Sequence, residues 1–194
     1  MEIVIPQCPA IWGGYFSFLG VTMEAAKAHS NTVTVMEPFP CPLVSEFRKY
    51  YRHSSPNPVW FQMWTFEQWL YLAQWMTDTK RTIVVKMDSD CMVFADLQRV
   101  WDQTKNPRLT LPVPDTFITV GAANLIAEYI VKSFCDGRER EICNPQHVCD
   151  FAILHPFFHS FGASDLRDDH GHGLIDNNLF LTDGNPSFET HKDI

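Results

Sequence analysis

The sequence has no uninterrupted apolar run of about 18 residues, the length a membrane-spanning helix demands, and no basic start followed by the apolar stretch of a secretory leader. A soluble, cytoplasmic protein is expected, made by a cell or by a virus inside one. Cationic side chains are few: 15 Lys and Arg stand against 23 Asp and Glu, for a net charge of −8. This argues against broad nucleic-acid binding, which needs clustered cations on phosphates. The six cysteines (Cys8, Cys41, Cys91, Cys135, Cys143 and Cys149) form no C-x-x-C pair and are read as reduced thiols. Internal repeats and low-complexity tracts are also missing. What remains is ordinary for a globular chain, 45% hydrophobic and 20% charged, and 194 residues suffice for one α/β domain with a core that needs no cross-links. An acidic protein can still hold a diphosphate where a cation and backbone N–H groups supply local positive potential, so a cation site is expected.

Along the chain, Ile3-Val4-Ile5 and Pro6 read as a short buried strand. Gly13-Gly14 then precedes an apolar-periodic helix over residues 15–29, and Thr32-Val33-Thr34-Val35-Met36 alternates as a second, parallel strand. The prolines Pro38, Pro40 and Pro42, with Pro56-Asn57-Pro58, mark loops around a helical segment from Val44 to Arg52. Trp60 to Met76 is apolar nearly all round, with Gln62, Gln68 and Gln74 as a thin polar stripe, so this helix is expected to be almost wholly buried. Its tryptophans are core, with Trp60 the one placed to approach a ligand.

Thr82-Ile83-Val84-Val85, between Lys80-Arg81 and Lys86, has the continuous β-branched character of a central strand covered on both faces. Short helical and strand-like segments follow at residues 95–104 and 109–113, then a helix over Val120 to Cys135 with Glu128 and Lys132 spaced to pair. Residues 147–161 read as a helix kinked by Pro156. Residues 162–178, rich in Gly, Asp and His, read as a long polar loop before the strand Leu179-Phe180-Leu181. The expected class is α/β, a mostly parallel central sheet flanked by helices, as a single domain over 1–194.

Asp88-Ser89-Asp90 falls just past the central strand, where ligands of open α/β sheets collect. Two aspartates one residue apart on a turn offer hard oxygen ligands suited to Mg²⁺ or Mn²⁺, with phosphate oxygens completing the octahedron. On its own a D-x-D tripeptide is a common solvated turn. Its place after a buried strand, with Met92-Val93-Phe94 returning to the core, favours the metal reading.

The stretch from Ile83 to Phe94, IVVKMDSDCMVF, resembles the D-x-D region of GT-A glycosyltransferases. Upstream, Tyr51-Arg52-His53-Ser54-Ser55-Pro56-Asn57 is similar to a Y-x-H-x-S-x-N pattern in an algal, bacterial and large-DNA-virus subset that includes chlorella viruses. The aromatic helix of that subset, close to F-E-x-F-C-F-x-R-W, is matched in its aromatic frame by Phe61 to Trp69, while the acid, cysteine and arginine are replaced. Val148-Cys149-Asp150-Phe151 and Ile175-Asp176-Asn177-Asn178 resemble later parts of the same pattern.

The resemblance implies a GT-A fold and transfer of a hexose from a nucleoside-diphosphate sugar, with uridine the favoured base, to a saccharide hydroxyl. The ligand-site rule for α/β sheets, together with the resemblance around His53, places the nucleotide over the C-terminal ends of the first two strands, against Pro6, Gln7, Cys8, Glu37, His53, Asn57, Asp88 and Ser89, with Mn²⁺ or Mg²⁺ at Asp88 and Asp90. Members of the group usually continue to a segment carrying a histidine and a lysine near the metal. This chain stops at Ile194, so it is either a truncated domain or one in which His170, His172 or His191 supplies the nitrogen ligand. If the reaction inverts the anomeric centre, Asp150 is the expected general base, with Asp168 or Asp169 behind it.

Other clusters carry less. His155 and His159 have the i,i+4 spacing of zinc ligands but flank Pro156 without the glutamate of H-E-x-x-H, so packing is their reading. Cys143, His147 and Cys149 fit no common zinc site. A phosphohydrolase of the haloacid dehalogenase type also places D-x-D after a strand, with Asp168-Asp169 as its second acidic pair, but that strand normally opens the domain. An inactive carbohydrate-binding domain is the third reading.

Overall fold

The computed structural model describes residues 1–8, 17–89, 91–93, 96–104, 110–111, 116–139, 164–165, 175–176, 179–182 and 185–188. Its centre is a four-stranded sheet of β1 (Glu2–Pro6), β2 (Thr32–Met36), β3 (Ile83–Lys86) and β6 (Thr116–Thr119), in the order β2-β1-β3-β6. β1 is parallel to both β2 and β3, with Ile3 opposite Val33 and Val85, whereas β6 runs antiparallel to β3. The expected α/β class with a mostly parallel sheet is what the chain forms.

Five helices are described: α1 (Ser17–Ala28), α2 (Pro42–Tyr50), α3 (Val59–Asp78), α4 (Leu97–Thr104) and α5 (Val120–Cys135). Strand periodicity sorts the sheet's side chains into two cores. Val4, Val84 and Ile118 face α2, α3 and α5, while Ile3, Ile5, Val85 and Phe117 face α1, α4 and β4 (Met92–Val93). The first core is aromatic, with Phe47 edge-on to Phe134 at a centroid distance of 5.0 Å and tilted on Phe66 at 5.8 Å. Each fully buried side chain of this size stabilises the fold by about 1.5–3 kcal/mol relative to exposure.

Short pairs complete the described strands: β5 (Thr110–Leu111) with β7 (Ser164–Asp165), β4 with β8 (Ile175–Asp176), and a hairpin of β9 (Leu179–Thr182) and β10 (Asn185–Phe188). Residues 162–178 are therefore not one uninterrupted loop, because β7 and β8 fall within them. The second helix begins at Pro42 rather than Val44, since a proline at the first helical position forfeits no hydrogen bond. It stops at Tyr50. Lys132 pairs with Asp136 at 3.1 Å instead of Glu128, a contact that sits at the helix C-terminus where a cation also meets the dipole.

Helices α1, α3 and α5 end in the same tight turn. Ser30, Lys80 and Gly137 take left-handed backbone, with φ of 62°, 56° and 67°. The next N–H reaches back five residues: Asn31 N to Ala26 O at 3.2 Å, Arg81 N to Met76 O at 2.9 Å and Arg138 N to Ser133 O at 2.8 Å. These bonds occupy carbonyls that the helix itself leaves open. The first two turns deliver the chain directly into β2 and β3.

The largest correction concerns α3. Its glutamines do not form a solvent stripe, for Gln62 and Gln68 are buried. Gln62 Oε1 accepts hydrogen bonds from Ser55 Oγ at 2.9 Å and Asn57 Nδ2 at 3.2 Å, so the loop before the helix satisfies the amide that burial strips of water. Its solvent-facing parts are the two ends: the first turn, where Val59, Trp60 and Phe61 are all exposed, and the last residues, Thr77 and Asp78. Twenty residues of helix span about 30 Å, whereas the four of β3 span about 13 Å. Trp69 lies beside the last residue of β3, so the helix N-terminal to it projects past the ends of the strands.

Candidate functional site

The chain moves from β1 to β2 on one side and then returns across β1 to β3 on the other. The connection leaving β1 passes to α1 on one face of the sheet and the one leaving β2 passes to α2 and α3 on the other, so the two part at the C-terminal ends of the strands, where open α/β sheets bind ligands. Pro6 closes β1 and is buried, with Gln7 and Cys8 half-buried beyond it. Gln7 N donates to Met36 O at 2.9 Å, which fixes the turn after β1 against the end of β2, and Glu37 stands exposed one residue further. Met87 N donates to Val4 O at 3.0 Å, carrying β3 alongside β1 up to Asp88. Ser89 is held from the opposite face, where Thr22 Oγ1 of α1 donates to its carbonyl at 2.7 Å.

One edge of the sheet thus gathers Pro6, Gln7, Cys8, Glu37, Asp88 and Ser89. His53 and Asn57 belong to the loop in front of α3. The Tyr51 hydroxyl meets His53 Nδ1 at 3.0 Å, and Asn57 is anchored on Gln62. Asp90, Asp150, Asp168, Asp169, His170, His172 and His191 lie outside the described residues, as do Cys143, His147, Cys149, His155 and His159.

Two charged pairs that the sequence reading overlooked organise this edge. Lys86 does not bound the strand as a solvent-facing charge. It is the last residue of β3, its side chain is 1% exposed, and its Nζ donates to Asp88 Oδ1 at 2.5 Å. The ammonium also lies 5.1 Å from the ring centroid of Trp69. Strand alternation is the reason: residues 86 and 88 project to the same side, where α3 packs. A lysine ending an apolar run two residues before an aspartate was the available signal. Asp88 keeps a 35% exposed side chain, so its carboxylate is open to solvent as well as paired with Lys86.

The second pair is Arg48 of α2 with Glu67 of α3, a two-pronged contact at 2.6 and 2.8 Å. The Glu67 side chain is 5% exposed, and its charge is balanced by a guanidinium that remains half in water. An acid in an otherwise apolar helix requires such a partner. Burial, then the negative charge of Glu67, pushes the Cys8 thiol up to about 11 and the Tyr51 phenol up to about 12. Both groups therefore stay protonated at neutral pH, which argues against Cys8 as a thiolate nucleophile.

This has a direct chemical test. With iodoacetamide at pH 8.5, Cys8 is expected to react well below the rate of the exposed Cys135, with its rate climbing as pH approaches 11. Peptide mass spectrometry over a pH series reads both. Alkylation of Cys8 at the rate of a free thiol at pH 8.5 would contradict its burial against Glu67.

As to metal, Asp88 offers the hard oxygen that Mg²⁺ and Mn²⁺ prefer. Among the described residues no group of three or more His, Cys, Asp or Glu could hold an ion. A cation at this edge would accordingly draw its remaining ligands from elsewhere in the chain, from water and from phosphate.

With the geometry in place, comparison with solved structures is informative. The glycosyltransferase GlyE of Streptococcus pneumoniae TIGR4 superposes on 88% of this chain with a TM-score of 0.52 and 17% identity. The chain shares that enzyme's fold. The apo form of GlyE gives a TM-score of 0.51 and 18% identity over 87% of the chain. A glycosyltransferase involved in the glycosylation of the major capsid of PBCV-1 aligns with a TM-score of 0.47 and 12% identity, over 84% of this chain and 79% of that one. The chain spans about half the length of GlyE, 46% and 45% in the two structures. No family model matches this sequence, and no curated protein matches it. Among the described residues no helix is long and apolar enough to cross a membrane.

Proposed function

We propose that this chain is a glycosyltransferase domain of the GT-A type, moving a hexose from a nucleoside-diphosphate sugar, with uridine the preferred base, to a saccharide hydroxyl. The observation that carries the reading is the carboxylate of Asp88 at the C-terminal edge between β1 and β3, in a fold shared with GlyE.

In this reading the nucleotide lies over the ends of β1 and β2, against Pro6, Gln7, Cys8 and Glu37, with the loop holding His53 and Asn57 as its outer wall. Asp88 and Asp90 would hold Mn²⁺ or Mg²⁺, with His170 or His172 as a nitrogen ligand, and charge on the departing diphosphate would be offset there. Asp88 is kept in place by Lys86 and would orient the ribose or contribute to the ion's site, and Ser89 is fixed through its backbone by Thr22. Asp150 takes the acceptor's proton if the reaction inverts, with Asp168 or Asp169 as the next choices.

A panel of nucleotide sugars incubated with Mn²⁺ tests this. Release of nucleoside diphosphate, faster from a uridine donor and suppressed by chelator, is the expected result. Release of inorganic phosphate from phosphomonoesters would replace the reading with the dehalogenase-type one. Donor binding without turnover on any acceptor would leave a carbohydrate-binding domain.

A further inference from the structure

Tyr51 caps the C-terminal end of α2 with its ring packed into the aromatic core, 5.3 Å from Phe47 and 5.6 Å from Phe134 between centroids. Its hydroxyl has one hydrogen-bond partner among the described residues, Nδ1 of His53 at 3.0 Å. Burial and the negative charge of Glu67 keep the phenol protonated, so its O–H needs an acceptor, and Nδ1 is the one in reach. A proton on Nδ1 instead would leave that half-buried O–H unsatisfied. Nδ1 therefore accepts, and the neutral imidazole carries its proton on Nε2. That N–H points away from the phenol, on an exposed ring, and has no partner among the described residues.

Glu67 acts on Cys8 as well as on Tyr51, which puts the Tyr51–His53 pair on the side where β1 ends. The loop is fixed at its other end too, where Asn57 Nδ2 donates to the buried Gln62 Oε1 at 3.2 Å. A group held in this way binds an acceptor with little further loss of freedom.

We propose that Tyr51 is a positioning residue: its hydroxyl fixes the His53 ring so that Nε2 carries the proton, and that N–H receives an oxygen of the bound nucleotide, on its phosphates or on its nucleoside. This rests on the nucleotide-sugar reading above and goes beyond it by assigning His53 its protonated nitrogen and naming the group that sets it.

The test uses the full chain with UDP as probe and Mg²⁺ present throughout. Tyr51→Phe removes the hydroxyl and keeps the ring in the core. His53→Ala is expected to weaken UDP binding about tenfold and Tyr51→Phe about threefold, the scale of one hydrogen bond lost or loosened. The double variant should bind no more weakly than His53→Ala, because Tyr51 acts only through the imidazole. Calorimetry reads the whole cycle. A His53→Ala loss that vanishes when uridine replaces UDP puts the contact on the phosphates, and one that persists puts it on the nucleoside. Nitrogen-15 NMR of the histidine side chains at about pH 9, where an imidazole is neutral, needs no ligand. It should show Nδ1 bare and Nε2 protonated in the wild type, with a population protonated on Nδ1 emerging in Tyr51→Phe. A proton on Nδ1 in the wild type overturns the proposal, as does an equal loss from Tyr51→Phe with and without His53. Failure of the wild-type protein to bind UDP would sink the nucleotide-sugar reading and this proposal with it, whereas UDP binding that ignores both substitutions sinks only the roles of Tyr51 and His53.

Discussion

Replacing Asp88 by alanine is expected to lower turnover by about 10²–10³-fold, the loss seen when one preorganised charge-stabilising group is removed, and to destabilise the protein at the same time. The second effect follows from Lys86. Without the carboxylate at 2.5 Å, a 1% exposed ammonium loses a counter-charge that water cannot replace. Breaking a buried pair by deleting one partner costs about 3–5 kcal/mol, and the lower figure applies because Asp88 itself is partly solvated. At about 2–4 °C per kcal/mol for a chain of this size, the melting temperature should fall by about 6–12 °C. The double variant Lys86→Met with Asp88→Ala removes both charges and should recover most of the stability while remaining inactive. Thermal unfolding of the single and double variants beside donor turnover separates the two roles. Equal melting temperatures for wild type and Asp88→Ala would show that Asp88 does not sustain the Lys86 charge.

Phe47→Ala should give the largest loss of stability from the core. Phe47 is fully buried and its ring touches Phe66, Phe134 and Tyr51, at centroid distances of 5.8, 5.0 and 5.3 Å. It joins α2 to α3 and α5, so truncation leaves a void between three elements that cannot all close on it. A cost of about 3–5 kcal/mol is expected for such a deletion. Urea denaturation should show a lower midpoint with an unchanged slope, as for a change in stability alone. The effect should extend to ligand binding, since Tyr51 rests on Phe47 and carries the first residue of the loop that holds His53 and Asn57. A loss below about 1 kcal/mol, within the range of ordinary surface changes, would mean that the aromatic cluster is not packed around this ring.

The frame of the fold was legible where local pattern and burial agree. The β-branched runs of β1, β2 and β3 announced themselves, and α5 begins and ends where its periodicity indicated. β6 escaped because Thr116-Phe117-Ile118-Thr119 passes into α5 without a turn residue between them. Thr119 is both the last strand residue and the helix cap, its hydroxyl accepting from Ala122 N at 3.2 Å. Buried polar groups were the other blind spot. Composition places Lys86, Glu67 and Gln62 in solvent, and only their partners Asp88, Arg48, Ser55 and Asn57 explain why they are not. Hydrophobic pattern fixes which face a residue takes, but satisfaction of a buried charge is a property of two positions that may be far apart in the chain. At the site, the shared edge of Pro6 to Cys8, Glu37, Asp88 and Ser89 was legible from the ligand rule for α/β sheets, while the charge arrangement beneath it was not.

The helix-to-strand turns at Ser30 and Lys80 have a consequence for how such a chain can diverge. Each joins its helix to the next strand through a few residues whose reach-back bonds leave no slack, so an inserted residue there would break a bond and rotate the strand behind it. Lengthening a loop at the opposite edge costs little, about 0.6 kcal/mol of closure entropy for each doubling. A change of length is therefore tolerated better at the edge where β1 and β3 end than at these two turns, whose lengths are set by the strands they feed.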